Sequence, residues 1–440
     1  MSVLSALNNK FIRRVRNAVE SRFWRMRLYL RRKTAAWRSR LFTRKLMIRR
    51  LREKEKIKVL FLSHLPAMWK VDSLYLAMLA HPRFEPSIFV IPHGNCATKA
   101  ERKESLDRIK AFFAQKGYPC EEWINDEGVP KASKLPKEFD ILIYPQPWRN
   151  VVPPAVDFMR HADHLMICCE YSFHLGTFEW AYNKWYQNMA FVDCYENDAV
   201  RELSCRKKYN HGINSVTTGL PIADEFLCSK GVSPWKKQAE GVKKIIWAPH
   251  WTIVDGLSDL GSFSNFLSIA DELLRYAQAS VGRLQFAFKP HPLLKKTLYG
   301  HADWGKERTD AYYAAWENGS NTQLEQGDYA ALFMESDAMV HDSCSFCCEY
   351  MLSGNPVMFI PKNAEAQTSI LNEMGLAAFY AQYMGHSVQD IEAFIENQVI
   401  RGDDPMKARR EEVTSRYLRP PHGLTAAENI INAILGNTPN

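Results

Sequence analysis

From residue 57 onward the chain repeats one rhythm. A short, almost unbroken apolar run ends in a polar break, and a longer segment with apolar residues three or four apart follows. Residues 57–63, 87–92, 140–144, 164–169 and 188–195 are runs of the first kind, rich in β-branched and aromatic residues. Unbroken apolar runs suit strands buried on both faces. Helical spacing intervenes, as in 103–116. Strands alternating with helices predict a parallel sheet covered by helices. The rhythm stops at 229–240, a polar stretch with a proline, and resumes with strands over 243–248, 284–289, 338–341 and 356–360. Helices are expected at 263–279, 329–335 and 344–352, with two more at 406–435 around Pro420-Pro421-His422-Gly423. The pattern predicts an α/β protein of two doubly wound domains, 57–228 and 241–405, followed by C-terminal helices at 406–440. Ligands are expected at the carboxyl ends of strands, in the cleft between the domains.

The segment before residue 57 is different. It has no proline before Pro66 and no glycine before Gly94 to interrupt a helix. Apolar residues recur at Ile12, Val15, Val19, Phe23, Met26 and Leu30, and the stripe resumes at Trp37, Leu41, Ile48 and Leu51. Arginines flank that stripe. Residues 1–56 hold 19 Lys/Arg and 3 Glu, a charge of +16 on a chain whose net charge is +8, so residues 57–440 carry −8. A basic amphipathic helix with aromatic residues at its edges is expected to lie on an anionic membrane surface. The acidic body, without a nucleic-acid-binding motif, argues against nucleic acid as a partner.

Apolar residues make up 46% of the chain and charged residues 24%, as in a globular protein. No apolar run approaches the roughly 18–20 residues of a spanning helix, and the arginine-rich start is unlike a secretory signal. The body is expected in the cytoplasm, peripheral on the inner face of the membrane. Ten cysteines spread through so long a chain are expected to be reduced thiols.

Three of them fall in HDSCSFCCEY, residues 341–350. A zinc site would require a fourth ligand and a second cluster at suitable spacing, so no metal is expected. The stretch reads instead as a strand running into a small polar turn, Asp342-Ser343-Cys344-Ser345, and then a helix. Unpaired N–H groups and serine hydroxyls at such a turn bind phosphate. Three more strand ends carry polar chemistry: Phe173-His174-Leu175-Gly176, Trp247-Ala248-Pro249-His250-Trp251-Thr252 and Lys289-Pro290-His291-Pro292.

In order and wording these segments resemble the CDP-glycerol glycerophosphotransferases, which prime and polymerise teichoic acids. FHLGT at 173–177 resembles that family's WHGTP turn, WAPHWT at 247–252 its APTWR strand end, and FKPHP at 288–292 its KLHP. SDAMVHDSCSFCCEYMLSGNPVMF at 336–359 resembles SDxLITDYSSxxFDxxxxxxPxxF, TGLP at 218–221 resembles TGYPRND, and residues 423–428 loosely resemble a C-terminal DGxAS element. The resemblance spans roughly 160–435 and implies a GT-B-like fold of two Rossmann-type domains facing a cleft, acceptor side first and nucleotide side second. It implies His174 as general base on the acceptor hydroxyl and His291 as a catalytic group beside the transferring phosphate. His250, Lys289, Asp342, Ser343, Cys344, Ser345 and Glu349 are then donor- or phosphate-binding. Asp342 would hold the turn, and Glu349 would accept from cytidine or ribose hydroxyls. The donor is a CDP-activated polyol phosphate such as CDP-glycerol, the acceptor a lipid-linked or glycan hydroxyl, and no cofactor is required.

The chain also departs from the pattern. Leu175 intervenes between His174 and Gly176, Phe178-Glu179-Trp180 stands where a basic residue is usual, and Thr252 replaces an arginine. A second reading, a glycosyltransferase using a nucleotide sugar in the same cleft, therefore stays open. A non-catalytic scaffold is a third, and it would tolerate loss of both His174 and His291.

Overall fold

The computed structural model describes residues 22–23, 25–34, 45–145, 148, 151–157, 160–161, 164–227, 233–254, 262–327, 329–343 and 346–437. Two fully parallel sheets form its frame. The first contains β1 (Ile57–Ser63), β2 (Phe84–Val90), β3 (Glu121–Glu122), β4 (Ile141–Tyr144), β5 (Leu165–Cys168), β6 (Val192–Tyr195) and β7 (Ser215–Thr217), in the order β3-β2-β1-β4-β5-β6-β7. The second contains β8 (Lys243–Ala248), β9 (Leu284–Phe288), β10 (Thr322–Leu324), β11 (Ala338–His341), β12 (Val357–Phe359) and β13 (Tyr383–Met384), in the order β10-β9-β8-β11-β12-β13. Each order reverses beside its first strand, between β1 and β4 and between β8 and β11. Loops leaving a parallel sheet diverge there and open a crevice.

The central strands are buried along their length, as their apolar runs require: every residue of β4, β5, β9 and β11 is inaccessible. The edge strands β3, β7, β10 and β13, of two or three residues each, had no apolar run to announce them. The expected strand over 188–195 is shorter than its apolar run. A helix, Trp185–Met189, takes the first part, and β6 begins at Val192.

The C-terminal helices return to the first domain. Helix Ala426–Leu435 is buried on one face, and Asp224 of the first domain accepts hydrogen bonds from the N–H groups of Ala426 (2.8 Å) and Ala427 (3.0 Å) at its start. That carboxylate caps the helix and ties the chain's end to its first half.

Of the expected N-terminal helix, residues 25–34 and Lys45–Glu53 are helical, and the rest of residues 1–44 lies outside the described residues apart from 22–23. Its two halves behave differently. Leu51 is 3% exposed and joins the first domain's core, with Met47 and Ile48 packed beside it. Phe23, Met26 and Leu30 are 70%, 62% and 56% exposed. Tyr29 meets Tyr209 of the first domain edge-on at 5.9 Å. Among the described residues no helix is long and apolar enough to cross a membrane.

Candidate active site

The first domain supplies an acid–base pair. Glu170 follows β5 and Glu196 follows β6, each a carboxylate at the end of an apolar run. His174 lies in the loop after β5. Its backbone N–H donates to Glu196 Oε1 (2.7 Å), and its Nδ1 lies 3.1 Å from Glu196 Oε2. Tyr182 and Tyr195 flank the ring, at centroid distances of 5.6 and 5.5 Å. With Glu196 holding Nδ1–H, the neutral ring presents its lone pair at Nε2, and Nε2 is buried without a hydrogen-bond partner among the described residues. Burial opposes charge on this imidazole, but Glu196, with Glu170 behind it, outweighs burial and raises the pKa. Glu170 in turn accepts from Lys184 Nζ (3.2 Å) and Tyr186 OH (2.9 Å). Burial alone would raise the Glu170 pKa, but Lys184 and His174 hold it below the usual carboxylate value.

The second domain supplies neutral imidazoles and a pinned turn. His250 follows β8 and His291 follows β9, adjacent strands, and their rings meet edge-on at 4.9 Å. Burial drives His250 down to about 3, helped by His291. Burial also drives His291 down to about 4, helped by Lys289. Asp342, after β11, accepts from His250 N–H (2.6 Å), Ser264 Oγ–H (2.7 Å) and Asn265 N–H (3.0 Å). Its oxygens are thus occupied by protein donors, and it ties the β8 and β11 loops together. Burial lifts its pKa to about 7 against those bonds. Ser343 is buried beside it, whereas Cys344 and Ser345 lie outside the described residues. Cys347 and Cys348 face the core.

A third cluster spans the domains. Lys70, in the loop after β1, places its Nζ 4.2 Å from the Tyr329 ring centre and 3.6 Å from Glu225. Lys289 Nζ lies 5.1 Å from the same ring and donates to Gly327 O at 3.1 Å. Glu349 is buried beside them, and its Oε2 has no hydrogen-bond partner among the described residues. Burial pushes Glu349 up to about 7, although Tyr329, Lys70 and Lys289 pull the other way. A buried carboxylate with an idle oxygen is costly unless something donates to it.

The domains are clasped beside His174. Gly176 and Leu371 form an antiparallel bridge, and Thr177 N–H donates to Ile370 O at 2.9 Å. Asn372 caps its own helix through Gly375 N–H (2.8 Å), while its Nδ2 donates to His174 O and Tyr182 OH. Next to this clasp is a cavity of about 380 Å³, with Glu170, His174 and Lys184 on one side and His250, Trp251 and Thr252 on the other.

His174 and His250 thus share one cavity, with His291 edge-on to His250. Lys289 and Glu349 belong to the cluster around Tyr329 instead. Sequence reading did not single out Glu170, Lys184, Glu196, Lys70, Tyr329 or Asn372. The two glutamates carried a usable signal, an acidic residue directly after a buried strand. The other four lie in loops and helix starts whose spacing says nothing of their neighbours.

No family model matches the sequence, and no curated protein does. Solved structures do match in fold. The wall teichoic acid polymerase TagF is 12% identical, with a TM-score of 0.56 over 98% of this chain and 97% of that chain; it has also been solved after a soak with CDPG. S. aureus MnaA with UDP is 12% identical, with a TM-score of 0.51 over 88% of this chain and 99% of that one. The UDP-GlcNAc 2-epimerase from Neisseria meningitidis, bound to UDP-GlcNAc, is 13% identical, with a TM-score of 0.51 over 87% and 100%. Two parallel α/β sheets facing a cleft, closed by a C-terminal helix on the first domain, give this chain the GT-B fold of these enzymes.

Proposed function

We propose that the protein transfers a polyol phosphate, such as glycerol phosphate, from a CDP-activated donor to an acceptor hydroxyl and releases CMP. The observation that carries this reading is the His174–Glu196 pair, facing His250 across one interdomain cavity. His174 Nε2 takes the acceptor's proton. The hydroxyl oxygen then attacks the phosphorus that bears the polyol, and the bond from that phosphorus to CMP breaks. CMP leaves with the bonding electrons. A positioned base contributes on the order of 10²- to 10⁴-fold to such a step. His250 and His291, neutral when unliganded, donate N–H bonds to the phosphoryl oxygens, with Lys289 as nearby positive charge. The segment that begins at Asp342 and Ser343, read from the sequence as a phosphate-binding turn, receives the diphosphate, and the idle oxygen of Glu349 accepts from the ribose. No step requires a metal or cofactor.

Motif order and the fold shared with a teichoic acid polymerase favour the CDP donor. The uridine nucleotides in the other two neighbours favour a second reading, a glycosyltransferase that releases a nucleoside diphosphate from a nucleotide sugar. A thermal-shift series separates them. A ligand at 100 times its Kd adds about 2.7 kcal/mol of stability. CMP and CDP-glycerol should raise Tm while UDP-sugars do not; the reverse pattern would overturn the CDP reading. The +16 segment and the exposed Phe23, Met26 and Leu30 support a peripheral position on the inner membrane face, where a lipid-linked acceptor would be presented.

A further inference from the structure

We infer that the acceptor end bound in the cavity beside His174 is an uncharged sugar ring rather than the end of a phosphodiester chain; this rests on the transfer reading above. The cavity wall is aromatic. Phe178 and Trp180 stack at 5.5 Å with their planes 18° apart, and Trp180 is 54% exposed at the cavity. Trp148 and Tyr171 form a second aromatic corner at 6.0 Å, and Trp251 faces them from the other domain. Large flat apolar faces left open in a cleft gain free energy when a ligand covers them. A pyranose offers a flat patch of C–H groups to such a face and hydroxyls around its rim. A phosphodiester chain end offers charge.

The charges of the described lining are balanced. Among the described lining residues the ammonium of Lys184 is already paired with Glu170 at 3.2 Å, so the two cancel. His174 is matched by Glu196. A polyanionic chain end needs guanidinium or ammonium groups that are not already paired, and the neutralised Lys184–Glu170 pair offers it none. Lys70, 3.6 Å from Glu225, and Lys289, which donates to Gly327 O, stand around Tyr329 and Glu349, outside the described lining of this cavity. The acceptor side is therefore made of aromatic faces and one neutralised ion pair. Glu170 and Ser172 supply polar partners for sugar hydroxyls, and Nε2 of His174 waits at the wall for the one that reacts.

About 380 Å³ is at the small end of the roughly 300–1,000 Å³ typical of small-molecule sites and accommodates one sugar unit.

The test uses the full chain and reads acceptor binding directly, without the donor. Tryptophan fluorescence is titrated with octyl glycosides of neutral hexoses and N-acetylhexosamines, and separately with a glycerol-phosphate oligomer. A glycoside should saturate the signal at least 10-fold more tightly than the oligomer, with little change between 50 and 500 mM salt. Trp180→Ala should weaken glycoside binding at least 10-fold, whereas Trp180→Phe, which keeps a flat ring and guards against a folding artefact, should restore most of it. Tighter binding of the oligomer, binding that falls steeply with salt, or saturation by neither ligand would each overturn the inference. The donor reading is judged separately by CMP and CDP-glycerol binding, so a failed glycoside titration with intact CMP binding sinks the acceptor class alone.

Discussion

The two domains share one strand order and bury nearly the same kind of sheet, yet they equip their strand ends in opposite ways. The first domain sets carboxylates after β5 and β6 and so raises the basicity of His174. The second buries His250 and His291 with no carboxylate on either ring among the described residues, Asp342 bonding only the backbone N–H of His250, and so keeps both neutral. The contrast shows that the scaffold does not decide the chemistry. One acidic residue at the end of a strand, Glu196, bonds the ring of a buried histidine and makes it a stronger base, whereas Asp342 spends its oxygens on N–H and O–H donors and leaves the His250 ring a weaker one.

The strongest way to break this contrast is to remove the base. His174→Ala should lower turnover by roughly 10²- to 10⁴-fold, while calorimetric CMP affinity stays within about twofold. His291→Ala should lower turnover and also weaken nucleotide binding by about 10-fold, since on the proposed reading it removes a phosphate contact. Equal CMP affinity in both variants would dissolve the division of labour between the domains.

Glu196→Gln sharpens the same point through pH. On the proposed reading His174 acts deprotonated, so kcat should rise with pH through its raised pKa. Glutamine removes the largest raising influence and leaves burial, which lowers. The acid limb of the pH–rate profile should move to lower pH, with a weaker base and about 10-fold lower kcat at its plateau. An unmoved limb would mean that Glu196 only positions the ring.

Glu349→Gln tests the cost of the idle carboxylate. In the fold its pKa is about 7, above the ordinary 4.5. The folded protein therefore holds this proton more tightly than the unfolded chain, and stability falls as pH rises from about 4.5 to 7. The amide variant escapes that loss. It should be more stable than the wild type at pH 8, by at most about 3 kcal/mol, and indistinguishable at pH 4. It should also bind CMP more weakly. Unchanged CMP affinity would remove Glu349 from the nucleotide site.

The smallest effect concerns the basic segment. Because Leu51 sits in the core, deletion should stop at residue 44. The shortened chain should keep its CMP affinity and lose co-sedimentation with anionic vesicles, and full-length binding should fall with salt. Equal sedimentation of both chains would place the membrane contact elsewhere.

Much of this was legible from residue order alone. Unbroken apolar runs announced the central strands, because a strand covered by helices on both faces has no polar side to show. His174, His250, His291 and Asp342 were legible because each directly follows such a run or sits in the loop it opens. The edge strands were not, since two or three residues carry no period. Neither was the split of the N-terminal stripe, in which Leu51 goes to the core and Leu30 to solvent, because identical spacing serves either surface.

What the sequence by itself determined is local: which segments bury both faces, where each strand stops, and which polar side chains stand at those stops. Tertiary structure decided which stops meet. Glu196 follows His174 by 22 positions and Asn372 by 198, yet one orients its ring and the other holds its carbonyl. Lys70 reaches Tyr329 across more than half the chain. Strand order and domain apposition set these encounters, and they follow from packing summed over whole sheets rather than from the spacing of any few residues.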